Sequence, residues 1–175
     1  MSIRRIVYFP DAPLLNKAEP VVRFDPDLAR LAGDMLETMH AYNGVGLAAP
    51  QVGVGSRLFV MQEPDGPELC FVNPEISNLE GREEGEEGCL SMPHIYAMVP
   101  RAKSLVLRAH DVDGKSVEME AADFFARVVQ HEFDHLDGVL FPFRLDILTR
   151  QAKLLEWGEE RERLLSSASG STDAT

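Results

Sequence analysis

The chain has 175 residues, of which 45% are hydrophobic and 26% are charged, and its formal net charge at pH 7 is −12. This length fits one domain with a hydrophobic core, and this composition is typical of a folded globular protein. The negative charge argues against a general surface for nucleic acids or anionic membranes, because both would repel it.

The N-terminus and the cysteine content predict a cytoplasmic protein without membrane or nucleic-acid partners. The opening MSIRRIVYFP enters a strand-like run, which leaves no room for a signal or transit peptide. No apolar run approaches the ~20 residues that a membrane-spanning helix needs. Two cysteines, Cys70 and Cys89, do not make a disulfide framework, so we expect both to be reduced.

The first part of the chain is predicted to hold one amphipathic helix followed by short strands. Asp25-Pro26 is typical of a helix start, because aspartate caps the helix and proline fits its first position. Apolar residues then recur at helical spacing as far as Met39. Residues 43–55 carry four glycines and are expected to be irregular. Strands are predicted at residues 57–62, 69–73, 75–79 and 104–110.

The last part of the chain is predicted to be helical. A buried helix spans residues 121–136 and ends at Asp137-Gly138, and an amphipathic helix spans residues 146–165. Residues 166–175 are rich in serine, threonine, glycine and alanine, so we expect a disordered tail there. The sequence therefore predicts a single domain over residues 1–165.

The segment QHEFDH, residues 130–135, carries the strongest chemical signal. In a helix, His131 and His135 project from one face about one turn apart, which is the spacing that two ligands of one metal ion need. Glu132 would lie beside the metal without binding it, where a carboxylate can take a proton from water. Two helical histidines can also be ordinary hydrogen-bonded residues, so the interpretation depends on a third ligand.

Three sources of a third ligand compete. Cys89, in EGCLS, would complete a set of one thiolate and two imidazoles that suits zinc or iron. A glutamate of the following helix would instead complete a two-histidine peptidase site; the candidates are Glu156, Glu159 and Glu160. Cys70, in CFVNP, is more typical of a small core residue in a buried strand. The local context favours Cys89, because its neighbour Gly88 allows close approach of the backbone.

Three motifs follow one another along the chain: GVGLAAPQ at residues 44–51, EGCLS at residues 87–91 and QHEFDH at residues 130–135. In this order they closely resemble the bacterial type of the peptide deformylase family. The flanking stretches IVYFPDAPLL, FVNPEI and VPRA also fit, so the resemblance covers residues 3 to about 145. It implies an α+β fold of mixed or antiparallel sheets around a central metal-binding helix, with one helix near each terminus.

The resemblance implies a metal-dependent hydrolase that removes the N-formyl group from the formyl-methionine of newly made polypeptides and releases formate. Cys89, His131 and His135 would hold one divalent metal, with water or hydroxide in the open fourth position. The metal would be Fe²⁺ in the cell, and Zn²⁺, Ni²⁺ or Co²⁺ would be able to replace it. Metal-bound hydroxide would attack the formyl carbon, with Glu132 as general base and later general acid.

The resemblance also implies how the substrate is held. The side-chain amide of Gln51 and the backbone N–H of Leu90 would form an oxyanion hole. The extended peptide would pair with the backbone in the manner of an added strand, at Val45, Gly46 and Gly88. Val128 and Phe124, one and two turns before His131, fall on the same helix face and are predicted to line a pocket for the methionine side chain; plain core packing is the alternative.

Two features depart from the family pattern. Tyr96 stands where bacterial members often carry arginine, so substrate contacts at that position do not transfer. In bacterial members the C-terminal helix is often basic and docks on the ribosome. Here the helix carries equal numbers of cations and anions: Arg150, Lys153, Arg161 and Arg163, and Glu156, Glu159, Glu160 and Glu162. Mixed charge at helical spacing is typical of a solvated face, so we expect only weak contact with the ribosome.

Overall fold

The computed structural model describes residues 2–62 and 66–169. In this part of the chain the α-helices are α1 (Pro26–Ala41), α2 (Asp123–Leu136) and α3 (Ile147–Ser169). The strands are β1 (Gly46–Ala48), β2 (Leu58–Gln62), β3 (Glu68–Glu80), β4 (Glu83–Cys89), β5 (Met92–Arg101), β6 (Ser104–His110) and β7 (Ser116–Ala122). Short 3-10 turns lie at Ala12–Leu14, Ala49–Val52 and Phe141–Arg144.

Antiparallel pairing builds two sheets from these strands. Five strands form one sheet in the order β1-β2-β3-β6-β7, while β4 and β5 form a separate two-stranded hairpin. The predicted α+β class, with antiparallel sheets and a helix near each terminus, is therefore confirmed. β1 and β4 each pair with a single strand, which leaves one edge of each open.

The capping signal placed the start of α1 correctly. The Asp25 side chain accepts hydrogen bonds from the backbone N–H groups of Asp27 and Leu28, and Pro26 occupies the first helical position. Met35 and Met39, in the apolar stripe of α1, are fully buried, while Leu31 and Leu36 are partly buried. This stripe packs on the side of the large sheet that faces away from α2.

The strand predictions need several corrections. Residues 69–73 and 75–79 were predicted as two strands but belong to the single strand β3, whose register shifts where Asn73 adopts a positive φ of 51°. Asparagine tolerates this conformation, so the chain bulges there and continues. β1 lies inside the segment predicted to be irregular. β4, β5 and β7 were not predicted at all.

Two helix boundaries also differ from the predictions. α2 begins at Asp123 because Ala121 and Ala122 still pair with β6. α3 continues through Ser169, four residues into the predicted tail; residues 170–175 lie outside the described residues. None of the described helices is long and apolar enough to cross a membrane.

α2 occupies the centre of the molecule. On one side its apolar residues, Val129 and Leu136 among them, pack against the face of the large sheet that carries Phe59 and Phe71. On the other side lies the hairpin of β4 and β5, which α3 covers through a third apolar cluster containing Trp157. Because α2 is covered on both sides, polar side chains that it carries are held in the interior.

Candidate metal and catalytic site

α2 and β4 together bring three metal-binding side chains into contact. His131 and His135 lie one turn apart on α2, and their ring centroids are 5.0 Å from each other. Cys89 is the last residue of β4, and its Sγ lies 3.2 Å from His135 Nε2. One ligand atom from each residue lies within 4.8 Å of the other two. This is the size and the donor set of a site for a single zinc or iron ion.

The other two predicted sources of a third ligand lie elsewhere. Cys70 packs in the core on the α1 side of the sheet, where burial raises the pKa of its thiol to about 12. In α3, Glu156 is paired with Lys153 at 2.8 Å, and Arg163 pairs with Glu159 at 3.8 Å and with Glu160 at 2.7 Å. Among the described residues only Cys89, His131 and His135 form such a cluster. The two-histidine, one-glutamate peptidase site is therefore wrong for this chain.

Glu87 orients the first histidine. Its Oε2 lies 2.9 Å from His131 Nδ1, and both groups are buried. When the Nδ1–H donates a hydrogen bond to Glu87, the lone pair of Nε2 is free to bind a metal. This is the usual arrangement of a histidine ligand. Although burial alone would raise the pKa of Glu87, its hydrogen bonds from His131 and Arg101 lower it to about 2.

A chain of buried ion pairs connects Glu87 to the other end of α2. Arg101 donates to both oxygens of Glu87 at 2.9 Å and to Asp134 at 2.6 Å, and Arg144 also pairs with Asp134. No local sequence pattern predicted a role for these residues. Glu87, Arg101 and Asp134 do fall inside the motif stretches, but their ion pairs join positions that are 14 and 33 residues apart. Only the folded arrangement reveals that they act as one support for His131.

Glu132 is buried beside the three metal-binding residues. One of its carboxylate oxygens, Oε2, has no hydrogen-bond partner within the described part of the chain. Burial is the main cause that raises the pKa of this carboxyl to about 7; the charge of His131 opposes the shift and the charge of Glu87 adds to it. Gly46 makes room for the carboxylate, because a Cβ at that position would overlap Oε1. The carboxylate therefore lies where it can exchange a proton with a bound water molecule.

Gln51 presents its amide nitrogen to the same site. Its Oε1 accepts a hydrogen bond from the Ala48 N–H at 2.8 Å, which fixes the orientation of the amide. Its Nε2 then lies 3.5 Å from Cys89 Sγ and 3.4 Å from Ser91 Oγ. Leu90 follows Cys89 directly at the turn between β4 and β5. The Gln51 amide N–H thus lies beside Cys89 Sγ, and both Gln51 and Leu90 line the same cavity.

A cavity of about 680 Å³ opens beside these groups. It lies between the open edges of β1 and β4, and α2 forms one of its walls. Tyr96, 52% exposed, stands at its mouth, opposite Gly88 in the hairpin. The structure places every residue predicted to bind substrate on its lining, namely Val45, Gly46, Gly88, Phe124 and Val128.

Comparisons with known proteins agree with this arrangement. The family model described as polypeptide deformylase matches residues 3–151. A peptide deformylase of Acidobacterium capsulatum is 46% identical over 159 residues, which are 88% of this chain and 93% of that protein. The crystal structure of a peptide deformylase from Legionella pneumophila has a TM-score of 0.88 at 41% identity, covering 94% of this chain and 98% of that one. The enzyme from Thermus thermophilus has a TM-score of 0.88 at 44% identity, covering 95% and 99%.

Proposed function

Because the chain belongs to the polypeptide deformylase family, we propose which of its residues carry out the removal of the N-formyl group. The enzyme is a peptide deformylase, a metal-dependent hydrolase that acts on the formyl-methionine of newly made polypeptides. The single catalytic domain predicted for residues 1–165 would carry the whole site. The observation that supports these assignments most is that the metal-binding cluster, Glu132 and Gln51 all adjoin one cavity.

Cys89, His131 and His135 would hold one divalent metal. One thiolate and two imidazoles suit Fe²⁺, Zn²⁺, Ni²⁺ and Co²⁺, and we propose Fe²⁺ in the cell on the basis of the family resemblance. When bound, such a metal lowers the pKa of a coordinated water molecule from ~15.7 toward ~7 and polarises the formyl oxygen. The buried ion pairs of Glu87 would keep His131 oriented for this role.

Glu132 would move the proton. As the water oxygen forms its bond to the formyl carbon, the Glu132 carboxylate accepts the proton that the water loses. When the bond between carbon and nitrogen breaks, the same carboxyl delivers this proton to the departing amine, so formate and a free amino terminus remain. The room that Gly46 leaves beside Oε1, and the absence of a partner for Oε2 among the described residues, support this role.

Gln51 and Leu90 would stabilise the negative charge that develops on the formyl oxygen. We expect Gln51→Leu to lower kcat by about 100- to 1000-fold, the usual effect of losing one oxyanion donor, with the metal still bound. Gln151→Leu, an exposed change on α3, serves as the control. Turnover and metal content of both purified variants test this role; a kcat for Gln51→Leu within about threefold of wild type would contradict it.

The peptide would bind along the two open strand edges. The Val45 carbonyl does not face the peptide as predicted, because it accepts the Gln62 N–H at 3.0 Å. The alternation of an antiparallel pair therefore turns the N–H and carbonyl of Gly46 toward the open edge of β1. Gly88 lies on the open edge of β4. Phe124 and Val128 would contact the methionine side chain from α2.

We also propose a cytoplasmic enzyme that acts on nascent chains with only weak attachment to the ribosome. Three of the four cations of α3 pair with carboxylates: Lys153 with Glu156 at 2.8 Å, Arg163 with Glu160 at 2.7 Å and Arg161 with Asp11 at 3.4 Å. The fourth, Arg150, donates to the Leu145 carbonyl at 3.1 Å. Little free positive charge is left for ribosomal RNA. Cosedimentation with purified ribosomes at low and at high salt tests this expectation; tight, salt-sensitive cosedimentation would be evidence against it.

A further inference from the structure

Arg127 is a buried cation on the cavity side of α2. Phe124, Arg127, Val128 and His131 follow at three- and four-residue spacing, so they share one face of the helix. All four side chains line the cavity. The side chain of Arg127 is only 8% exposed. A guanidinium therefore stands among the residues proposed above to contact the first side chain of the substrate.

Three residues of the β4–β5 hairpin hold this guanidinium in one position. Its Nη1 donates to Glu87 Oε1 at 2.9 Å and to the Val99 carbonyl at 2.8 Å, and its Nη2 donates to the Glu83 carbonyl at 3.3 Å. Gly85 makes room for it, because a Cβ there would lie 2.8 Å from Arg127 Cζ. The group is thus a fixed plane rather than a mobile side chain.

The Nε–H of this plane has no acceptor among the described residues, whereas both Nη atoms donate and Nη2 also lies 3.5 Å from Glu83 Oε1. The Nη atoms account for all the hydrogen bonds described above, and no described residue accepts a hydrogen bond from Nε. Nε is also not among the fully buried side-chain atoms without a partner in the described part of the chain. Nε therefore retains some exposed surface, and Arg127 is one of the residues that line the cavity. Next to it, Phe124 and Val128 supply apolar contact.

We propose that Arg127 determines the side-chain specificity of this cavity, by offering its Nε–H to the thioether sulfur of the substrate's methionine. Sulfur is a weak hydrogen-bond acceptor and a polarisable neighbour for a cation. Norleucine, in which a CH₂ group replaces the sulfur, fills the same space but leaves this donor without a partner. A site built around a donor discriminates against an analogue that lacks the acceptor. The inference deepens the proposed function and rests on it.

The test compares two substrates of the same shape. The ratio of kcat/KM for formyl-Met-Ala-Ser to kcat/KM for formyl-norleucyl-Ala-Ser is measured for the metal-loaded wild type, Arg127→Leu and Arg127→Lys. We expect a wild-type ratio of about two to ten, the fold-change of one net hydrogen bond. The ratio should fall to about one or below in both variants, since neither has the Nε–H. Arg108→Leu, which removes an exposed arginine paired with Glu118, should keep the wild-type ratio.

The ratio separates specificity from structural damage. Arg127 also binds Glu87, so its loss lowers the active fraction of the enzyme, but this affects both substrates equally and cancels in the ratio. An unchanged ratio in Arg127→Leu would overturn the proposal. If that variant does not fold, Gly85→Ala displaces the guanidinium, with Gly55→Ala as control because its Cβ meets no atom within 4 Å; an unchanged ratio in Gly85→Ala would likewise overturn it. If the wild type released formate from neither of the two peptides, the proposed function itself would be contradicted.

Discussion

We expect Glu132→Gln to lower kcat for formate release by about 100- to 10,000-fold, which is the range that a positioned general acid–base supplies. Glutamine has nearly the shape of glutamate and fits the space that Gly46 leaves. It cannot accept the proton of the attacking water, and it has none to deliver to the leaving amine. The measurement is kcat on formyl-Met-Ala-Ser, with the metal content of each preparation determined in parallel.

The control for this prediction is Glu156→Gln. Glu156 lies on the surface of α3 and pairs with Lys153, so its loss should change neither turnover nor metal content. Glu132→Gln should also keep its metal, because Glu132 is not one of the three residues of the metal-binding cluster. A Glu132→Gln enzyme that turns over within about threefold of wild type would show that another group moves the proton.

The second large effect concerns the metal. We expect Cys89→Ser to weaken metal binding by at least about 100-fold, because loss of a group that merely orients a ligand already costs about 10- to 100-fold. A serine hydroxyl stays protonated and is a poor replacement for a soft thiolate. Metal retained after dialysis, together with the sulfur-to-metal charge-transfer absorption of the cobalt-loaded protein, measures the effect.

Cys70→Ser is the matched control. It makes the same chemical change in a cysteine that packs in the core far from the cluster. We expect it to keep the metal and the charge-transfer absorption, at some loss of thermal stability from placing a hydroxyl among apolar groups. If Cys89→Ser retained its metal and its absorption as Cys70→Ser does, the ligand set assigned to this site would be wrong.

Local signals were sufficient for the helices that frame the site. Asp25-Pro26 and the apolar stripe correctly predicted the position of α1. The four-residue spacing of His131 and His135 correctly predicted that both lie on one face of α2. Such signals need only the neighbouring residues, because capping and helical periodicity are properties of a short segment. The helix ends were harder to predict, and Ala121 and Ala122 joined β7 rather than α2 because strand pairing outweighed their helix propensity.

Strand β4 shows why the rest was not predictable. Its sequence, EEGEEGC, has neither β-branched residues nor an apolar alternation, and it becomes a strand only by pairing with β5. Its inward side chains are polar because they serve the site: Glu87 supports His131, and Cys89 completes the metal-binding cluster. Because these positions carry functional polar residues, β4 lacks the apolar alternation by which a strand is predicted from sequence. The ion pairs of Arg101 depend on the same pairing and were missed with it.

The most direct test of the account is formate release from formyl-Met-Ala-Ser by the enzyme, either purified anaerobically with Fe²⁺ or reconstituted with Ni²⁺. We expect rapid release of one formate per peptide, with a new amino terminus; the release stops when a chelator removes the metal and resumes when the metal is restored. Folded protein that holds its metal and binds the peptide yet releases no formate would contradict the account, and would indicate a protein that binds formylated peptides without turnover.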